Sequence, residues 1–250
     1  MPSASLPTLT FAGLGRRAPC HAVFARRGGC SRAPFHSLNV GLQVGDDEAL
    51  VLENRKRIKE CLGLSSLVSA RQVHGDRVKV VRRQPEGDRE FAGFDALVTD
   101  LSGVGLMIQQ ADCQAIMLHD PEHGAVANIH AGWRGSVHNI IAATVEALHA
   151  AYGSRPQALV AAISPSLGPC CAEFRNHADE LPPSFLAHQV RPNHFDFWAI
   201  SRSQLIAAGV LPDNIEIAGV CTRCDADYFS YRREKVTGRF ASVIGLAVSP

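Results

Sequence analysis

Three residues able to ligate a metal or carry a nucleophile sit where apolar runs break off. His74 stands in Gln72-Val73-His74-Gly75, Cys113 in Gln110-Ala111-Asp112-Cys113, and His130 in Asn128-Ile129-His130-Ala131-Gly132. Their separations, 39 and 17 residues, fit no zinc-finger spacing. The local pattern alone therefore names no metal; the shared setting, a strand end passing into a turn, suggests one. One thiolate and two imidazoles make a workable zinc set. Three protein ligands leave a fourth position for water, as a catalytic site requires, and the metal lowers that water's proton affinity. A thiolate offsets more of the metal's charge than an imidazole, so activation should be weaker than at a three-histidine site. Other readings stay open: each histidine can be a hydrogen-bonded structural residue, and Cys113 a small core side chain. Asp112, an odd choice for pure core, is a candidate proton carrier.

The third of these turns is the most decorated. Gly132 and Gly135 allow close backbone approach to a ligand. A helix beginning near Ser136 would aim its first N–H groups back at the turn, an end that attracts phosphate, and Arg134 could add a bidentate contact. The plain alternative is that Trp133 packs on the core and Arg134 is solvated.

The elements that must position these residues can be read from periodicity. Asp46 or Asp47 caps a helix over 48–61, acidic first and basic later. Strand-like runs follow at 68–73, 77–82, 95–99, 104–109, 115–118 and 124–129, several apolar throughout and so covered on both faces. Asp120-Pro121-Glu122-His123-Gly124 is turn chemistry that makes a hairpin of the last two. Val137, Ile140, Ile141, Thr144, Val145 and Leu148 form one helical stripe. Another strand is expected at 158–163, and Ser201-x-x-Gln204 reads as a capping box opening a helix that ends near Gly209. Strands near 215–220 and 240–247 complete the pattern. Residues 28–47 run without periodicity, the kind of long loop that is often functional. Residues 1–20, rich in Pro, Ser and Ala, are expected to be a loosely held arm. The rest, 21–250, is expected to be a single α/β domain with a mixed sheet.

The composition excludes some partners. Lys plus Arg is 25 against 24 Asp plus Glu, which gives no basic excess for nucleic acid. The basic pairs Arg26-Arg27, Arg82-Arg83 and Arg232-Arg233 read as solvated surface. No stretch approaches the ~20 apolar residues of a membrane helix, and no signal peptide is apparent. Eight cysteines in a chain with an ample core point to a reducing compartment and to metal or catalytic thiols. A cytoplasmic monomer acting on small molecules is the expectation.

In order along the chain, FARRGG, SLNVG, GDD, NRKRI, QVHGDRV, DALVTD, ADCQAIMLHDP, HAGWRGS, SPSLGPCCAEF and CTRCDADYFSYRRE with TGRFASVIGL resemble the YfiH family. That family is also called the laccase-domain, multicopper polyphenol oxidoreductase or peptidoglycan editing factor family. The resemblance spans residues 21–247, and the combination of VHG, ADC and HAGWRG carries its specificity. It implies a four-layer α/β sandwich with mixed sheets, related to the cytotoxic-necrotizing-factor catalytic domain. It implies one zinc held by His74, Cys113 and His130. It also implies purine nucleoside chemistry: phosphorolysis of adenosine, inosine, guanosine and S-methyl-5′-thioadenosine, and hydrolytic deamination of adenosine. Arg26 and Asn39 fall on motif positions that line the pocket. Ala25, Gln114 and Ala172 depart from the family's usual residues, a change in pocket shape that bears on substrate preference.

Rival functions make different demands. A copper polyphenol oxidase commonly uses His-x-His pairs, and the eleven histidines here include none; copper can nevertheless compete for a Cys/His site. A metal-free cysteine hydrolase, suited to editing a cell-wall precursor, would use Cys113 as nucleophile and His130 as base. A non-enzymatic module with structural zinc would want four protein ligands. Cys221-Thr-Arg-Cys224 offers two for a separate metal or redox pair, although a lone pair of buried thiols is the simpler reading. Cys170 and Cys171 read as turn residues bordering the pocket.

Overall fold

The computed structural model describes residues 6–14 and 19–247. Strands β1 (Thr8–Leu9), β2 (Pro19–Phe24), β3 (Ser66–Arg71), β5 (Arg89–Ala92), β7 (Val104–Gln110) and β14 (Phe240–Leu246) form one sheet in the order β1-β2-β14-β7-β3-β5. A second sheet, β13-β10-β8-β9-β6-β4, is built from β4 (Val78–Val80), β6 (Ala96–Thr99), β8 (Gln114–Asp120), β9 (Ala125–Ala131), β10 (Val160–Ile163) and β13 (Ile215–Ile217). Both sheets mix parallel and antiparallel pairs. A small hairpin, β11 (Gln189–Arg191) with β12 (His194–Phe195), stands apart.

Three apolar layers follow from the strand patterns. Val23, Val68, Leu106 and Ile244 of the first sheet meet Leu97, Met117, Val126 and Ala162 of the second. This is why β7, β8 and β9 are buried along their whole length and read as continuous apolar runs. The far face of the second sheet is covered by helices α3 (Ile140–Tyr152) and, after the one-turn α4 (His177–Glu180), α5 (Phe197–Ala207). Ile140, Ile141, Val145 and Leu148 of α3 lie in that layer, each worth roughly 2 kcal/mol of burial. The far face of the first sheet carries α1 (Glu48–Cys61), whose Ile58 packs with Leu67, Met107 and Val243. Helix, sheet, sheet and helix make the four layers.

Helix α1 also explains how a long irregular loop can stay ordered. Asp47 caps it, accepting from the Ala49 amide, and its buried stripe is Val51, Asn54, Arg55 and Ile58. Two of these are polar because they satisfy loop backbone. Asn54 donates to the carbonyls of Ser37 and Asn39 and accepts from the Cys30 amide. Arg55 donates to the Val40 carbonyl and, at 3.0 Å, to Glu90. Burial raises the Glu90 pKa, but the Arg55 charge and four hydrogen bonds outweigh it and hold the carboxyl below its ordinary 4.5. Glu90→Gln leaves Arg55 unpaired and is expected to destabilise the fold by about 3 kcal/mol at neutral pH. A lowered carboxylate stabilises the fold above its unfolded pKa, and that contribution disappears as pH falls through the folded value. Urea unfolding of the two proteins should therefore converge on acidification.

Several boundaries differ from the sequence expectation. The expected helix from Ser136 is two: α2 (Trp133–Val137) starts earlier and breaks before α3. Asn139 sits between them in the left-handed region, φ 56°, with its side chain capping Ala142. The capping box at Ser201 does not open a helix. Asp196 caps α5 five residues earlier, and Ser201 is a buried mid-helix donor to Gln114. The N-terminal arm lies partly outside the described residues; over 6–14 it is held, since β1 pairs with β2 and Phe11 and Leu14 are buried between the sheets.

Candidate active site

The chain turns sharply at the end of β3. His74 adopts φ 62°, a conformation uncommon outside glycine, and the turn is held by a carboxylate. Asp95, fully buried just before β6, accepts from the amides of Val73, His74 and Gly75 at 3.2, 2.9 and 2.9 Å. Gln72 ties the same turn to β7, donating to the Gln109 carbonyl and accepting from its amide. Strand β7 ends at Gln110, and Ala111-Asp112-Cys113 carries the chain from the first sheet into β8 of the second. Cys113 thus sits at the passage between the sheets. His130 lies on β9, paired with Ala115 of β8, so the antiparallel register delivers it beside Cys113.

The structure brings the three predicted ligands together. One donor atom from each of His74, Cys113 and His130 lies within 4.8 Å of the others, and Cys113 Sγ is 3.9 Å from His74 Nε2. His130 Nδ1 is 2.9 Å from Asp95 Oδ1. A carboxylate can only accept, so Nδ1 carries a proton, and Nε2 is the nitrogen left to ligate a metal, which would take the place of its proton. This is the arrangement by which a metal-ligating histidine is oriented. Gly132 closes the site: a Cβ there would stand 3.0 Å from both Cys113 Sγ and His74 Cδ2. Donor types, tautomer and spacing all fit a zinc ion; a fourth protein donor is not among this group.

The electrostatics are those of a charged pair. Burial opposes ionisation of Cys113, but the positive charge of His130 and hydrogen bonds from both histidines pull its pKa down to about 6. Burial likewise lowers His130, but the Cys113 thiolate and Asp95 lift it to about 9. The thiol is thus prepared as a thiolate, the form that ligates metal or attacks carbon.

The triad opens on a cleft of about 690 Å³. Trp133, Phe174, Phe197 and Tyr231 supply aromatic surface, and Arg134, Arg232, Lys235 and Arg239 supply positive charge. Gln110 and Gln114 line it as well, and Gln110 Oε1 and Gln114 Nε2 are buried without a hydrogen-bond partner. Arg134 is exposed, its guanidinium 4.7 Å from the Trp133 ring centroid.

Two of the predicted pocket residues do not line the cleft. The Arg26 guanidinium is occupied by Glu234 and lies 4.4 Å above the Phe229 ring. Asn39 is fully buried and bonds to Gly41, Asp46 and the Arg239 amide; it shapes the backbone behind the site. Asp112 lines the cleft, but Thr222 Oγ1 and the Arg232 amide donate to its two oxygens at 2.7 and 2.6 Å. That makes it a positioning residue for the Cys113 loop rather than a free proton carrier. Arg232-Arg233 is no solvated pair: Arg232 donates to the Cys171 and Glu173 carbonyls, and Arg233 to four carbonyls between Thr222 and Tyr228. Sequence reasoning missed the role of Asp95. Its signal was an acid placed directly before a fully buried apolar strand.

Residues 20–247 match the family described as multi-copper polyphenol oxidoreductase laccase. A protein of Deinococcus radiodurans named purine nucleoside phosphorylase is 38% identical over 237 residues, covering 90% of this chain and 88% of that one. Purine nucleoside phosphorylase YlmD of Geobacillus stearothermophilus is 36% identical over 239 residues, 88% of this chain and 87% of its own. Among solved structures, YlmD from Geobacillus stearothermophilus superposes with a TM-score of 0.88 at 32% identity, over 99% of this chain and 98% of that one. The Bacillus licheniformis protein YfiH gives 0.83 at 31%, over 93% and 98%. Sequence, fold and site motifs agree that this chain belongs to the YfiH-type family of laccase-domain proteins.

Proposed function

We propose that the chain is a zinc-dependent purine nucleoside phosphorylase that also deaminates adenosine. The observation that carries this is the wall of the cleft beside His74, Cys113 and His130: among the described residues, aromatic rings stand with four cationic side chains, and the one lining carboxylate, Asp112, is already engaged. A purine base is a flat π surface with polar edges, and phosphate is a small dianion; this wall suits both. The names of the relatives agree with it.

Zinc held by the triad would supply a Lewis acid able to polarise an oxygen in the cleft. The chain's own residues do the rest. Trp133, Phe174 and Tyr231 offer faces for the base, and the unpartnered amide atoms of Gln110 and Gln114 offer an acceptor and a donor for its edge. Arg134, Arg232, Lys235 and Arg239 attract phosphate and stabilise its charge as it attacks C1′ of the ribose. That bond forms as the glycosidic C–N bond breaks, giving the free base and ribose 1-phosphate. In deamination, water adds at C6 of adenosine and ammonia leaves, giving inosine. Inosine, guanosine, adenosine and S-methyl-5′-thioadenosine share the base and ribose that these contacts address.

The site contains a second possibility. Asp95, His130 and Cys113 form a carboxylate–imidazole–thiolate line, the arrangement of a cysteine nucleophile with an oriented base. Chelation separates the two. With inosine and inorganic phosphate, the zinc-loaded protein should release hypoxanthine and ribose 1-phosphate, only when phosphate is present, and should stop when zinc is stripped. Turnover that survives complete zinc removal favours the thiol route, and no turnover of any of the four nucleosides by metal-replete protein overturns the proposal. We also infer a cytoplasmic, monomeric enzyme. No helix among the described residues is long and apolar enough to cross a membrane.

A further inference from the structure

We propose that Cys170, Cys171, Cys221 and Cys224 form a second metal site, a structural one, that holds a single tetrahedral zinc and clamps one wall of the cleft. Neither the lone pair of thiols expected at 221–224 nor the simple turn expected at 170–171 describes what the fold does with them. It places the four sulfurs within 4.8 Å of one another, although the two pairs lie on separate loops. One loop follows β10, the other β13, and these strands are parallel neighbours. A bridge between Ser166 and Cys221 continues their pairing past the strand ends and brings the loops into register.

The spacing suits a mononuclear ion. Zn–S bonds of ~2.3 Å in a tetrahedron set the sulfurs ~3.8 Å apart. Cys224 Sγ lies 3.8 Å from Cys170 Sγ and 3.5 Å from Cys171 Sγ. An iron–sulfur cluster carries its own iron and sulfide between the thiolates and needs them wider apart. Cys221-Thr-Arg-Cys224 is the two-ligand turn common in structural zinc sites, and four thiolates complete such a site with no position left for water. Four thiolates around a dication leave net negative charge, and the surroundings answer it. The Gly168 amide donates to Cys221 Sγ at 3.3 Å, and Arg223 reaches Cys171 Sγ at 3.6 Å. Cys170 and Cys224 are exposed, so a metal has a route in.

The consequence for the cleft is mechanical. Thr222, between the two ligands of its turn, donates to Asp112. Arg232 joins Asp112 through its amide and the Cys171 carbonyl through its guanidinium. Asp112 directly precedes Cys113. A metal at the four thiols would therefore tie both loops to the segment that presents the triad's thiolate.

Metal content tests this independently of nucleoside turnover. Protein is purified anaerobically with a thiol reductant, passed over chelating resin and measured by elemental mass spectrometry. Cys113→Ala, which breaks the triad, should keep close to one zinc per chain. Adding Cys170→Ser and Cys224→Ser should reduce that to none. Cobalt loaded into the Cys113→Ala protein should show tetrahedral d–d bands with intense thiolate-to-cobalt charge transfer, absent from the triple variant. If the triple variant fails to fold, the cobalt charge-transfer intensity in Cys113→Ala alone decides, since four thiolates absorb far more strongly than one or two. A folded Cys113→Ala protein that holds no zinc and takes no cobalt overturns the proposal. So does a disulfide between the two cysteine pairs that persists under reductant.

Discussion

An Asp95→Asn variant is expected to lose affinity for the triad's metal by ten- to a hundredfold and to lose turnover with it, while remaining folded. The argument is one of hydrogen-bond direction. Asp95 receives four N–H groups: Oδ1 takes His130 Nδ1–H and the His74 amide, and Oδ2 takes the amides of Val73 and Gly75. Asparagine keeps the shape but has one accepting oxygen and one donating NH₂. Pointing its NH₂ at Val73 and Gly75 sets donor against donor beneath the His74 turn. Pointing it at His130 makes Nδ1 the acceptor and moves the ring proton to Nε2, where it blocks ligation. Either way one ligand is misplaced, and changes to groups that orient a ligating histidine typically weaken metal binding by roughly 10–100-fold. The opposed donors should also destabilise the fold by about 1–3 kcal/mol. Zinc competition against a chromophoric chelator, with thermal unfolding of the same samples, checks both. Unchanged zinc affinity would show that His130 does not ligate through Nε2.

The larger effect is expected from Cys113→Ala. This change removes the triad's thiolate ligand and leaves only the two histidines. Metal retention at that site should fall to background, and phosphorolysis with it by on the order of a thousandfold or more, as several kcal/mol of Lewis-acid stabilisation disappear. Cys113→Ser is a useful companion. Its hydroxyl is similar in size but stays protonated near neutral pH and ligates zinc poorly, so it should resemble the alanine variant. Elemental analysis and initial rates with inosine and phosphate decide the matter. A Cys113→Ala protein that keeps the wild-type rate excludes the triad as the reaction centre. One that loses rate but keeps the triad's metal points to Cys113 as nucleophile instead.

These expectations rest on contacts of very different legibility. Helix α1 was readable at 48–61, because an aspartate cap and a run from acidic to basic residues are local. The β8–β9 hairpin was readable for the same reason: turn-forming residues separate two apolar runs, and the strands pair up to Asp120 and Ala125. The break between α2 and α3 was not, because Asn139 in a left-handed conformation leaves the apolar stripe intact on either side. Ser201 misled because a serine three residues before a glutamine has the same composition at a helix start as in a helix middle; Asp196 decided between them.

For the site, the division follows sequence distance. Residue type and strand-end setting were enough to nominate His74, Cys113 and His130, and the family motifs gave the nomination weight. Their convergence depends on β6 pairing with β9, which sets Asp95 beside His130, and on the chain crossing between the sheets after β7, neither of which a spacing of 39 or 17 residues reveals. Arg26 carries a charge that looks available in sequence, yet Glu234, 208 residues away, already holds it. Arg239 and Lys235 gave no sign of facing the same cleft as Trp133, and the four cysteines divide into two unremarkable pairs until β10 and β13 align their loops. What the chain determined by itself was which side chains could do chemistry and which short segments would be helix or strand, since propensity, capping and periodicity act within a few residues. Only the tertiary structure decided which of those side chains meet and which are already partnered, because hydrogen bonds, ion pairs and ligand sets depend on distance in space between residues far apart in the chain.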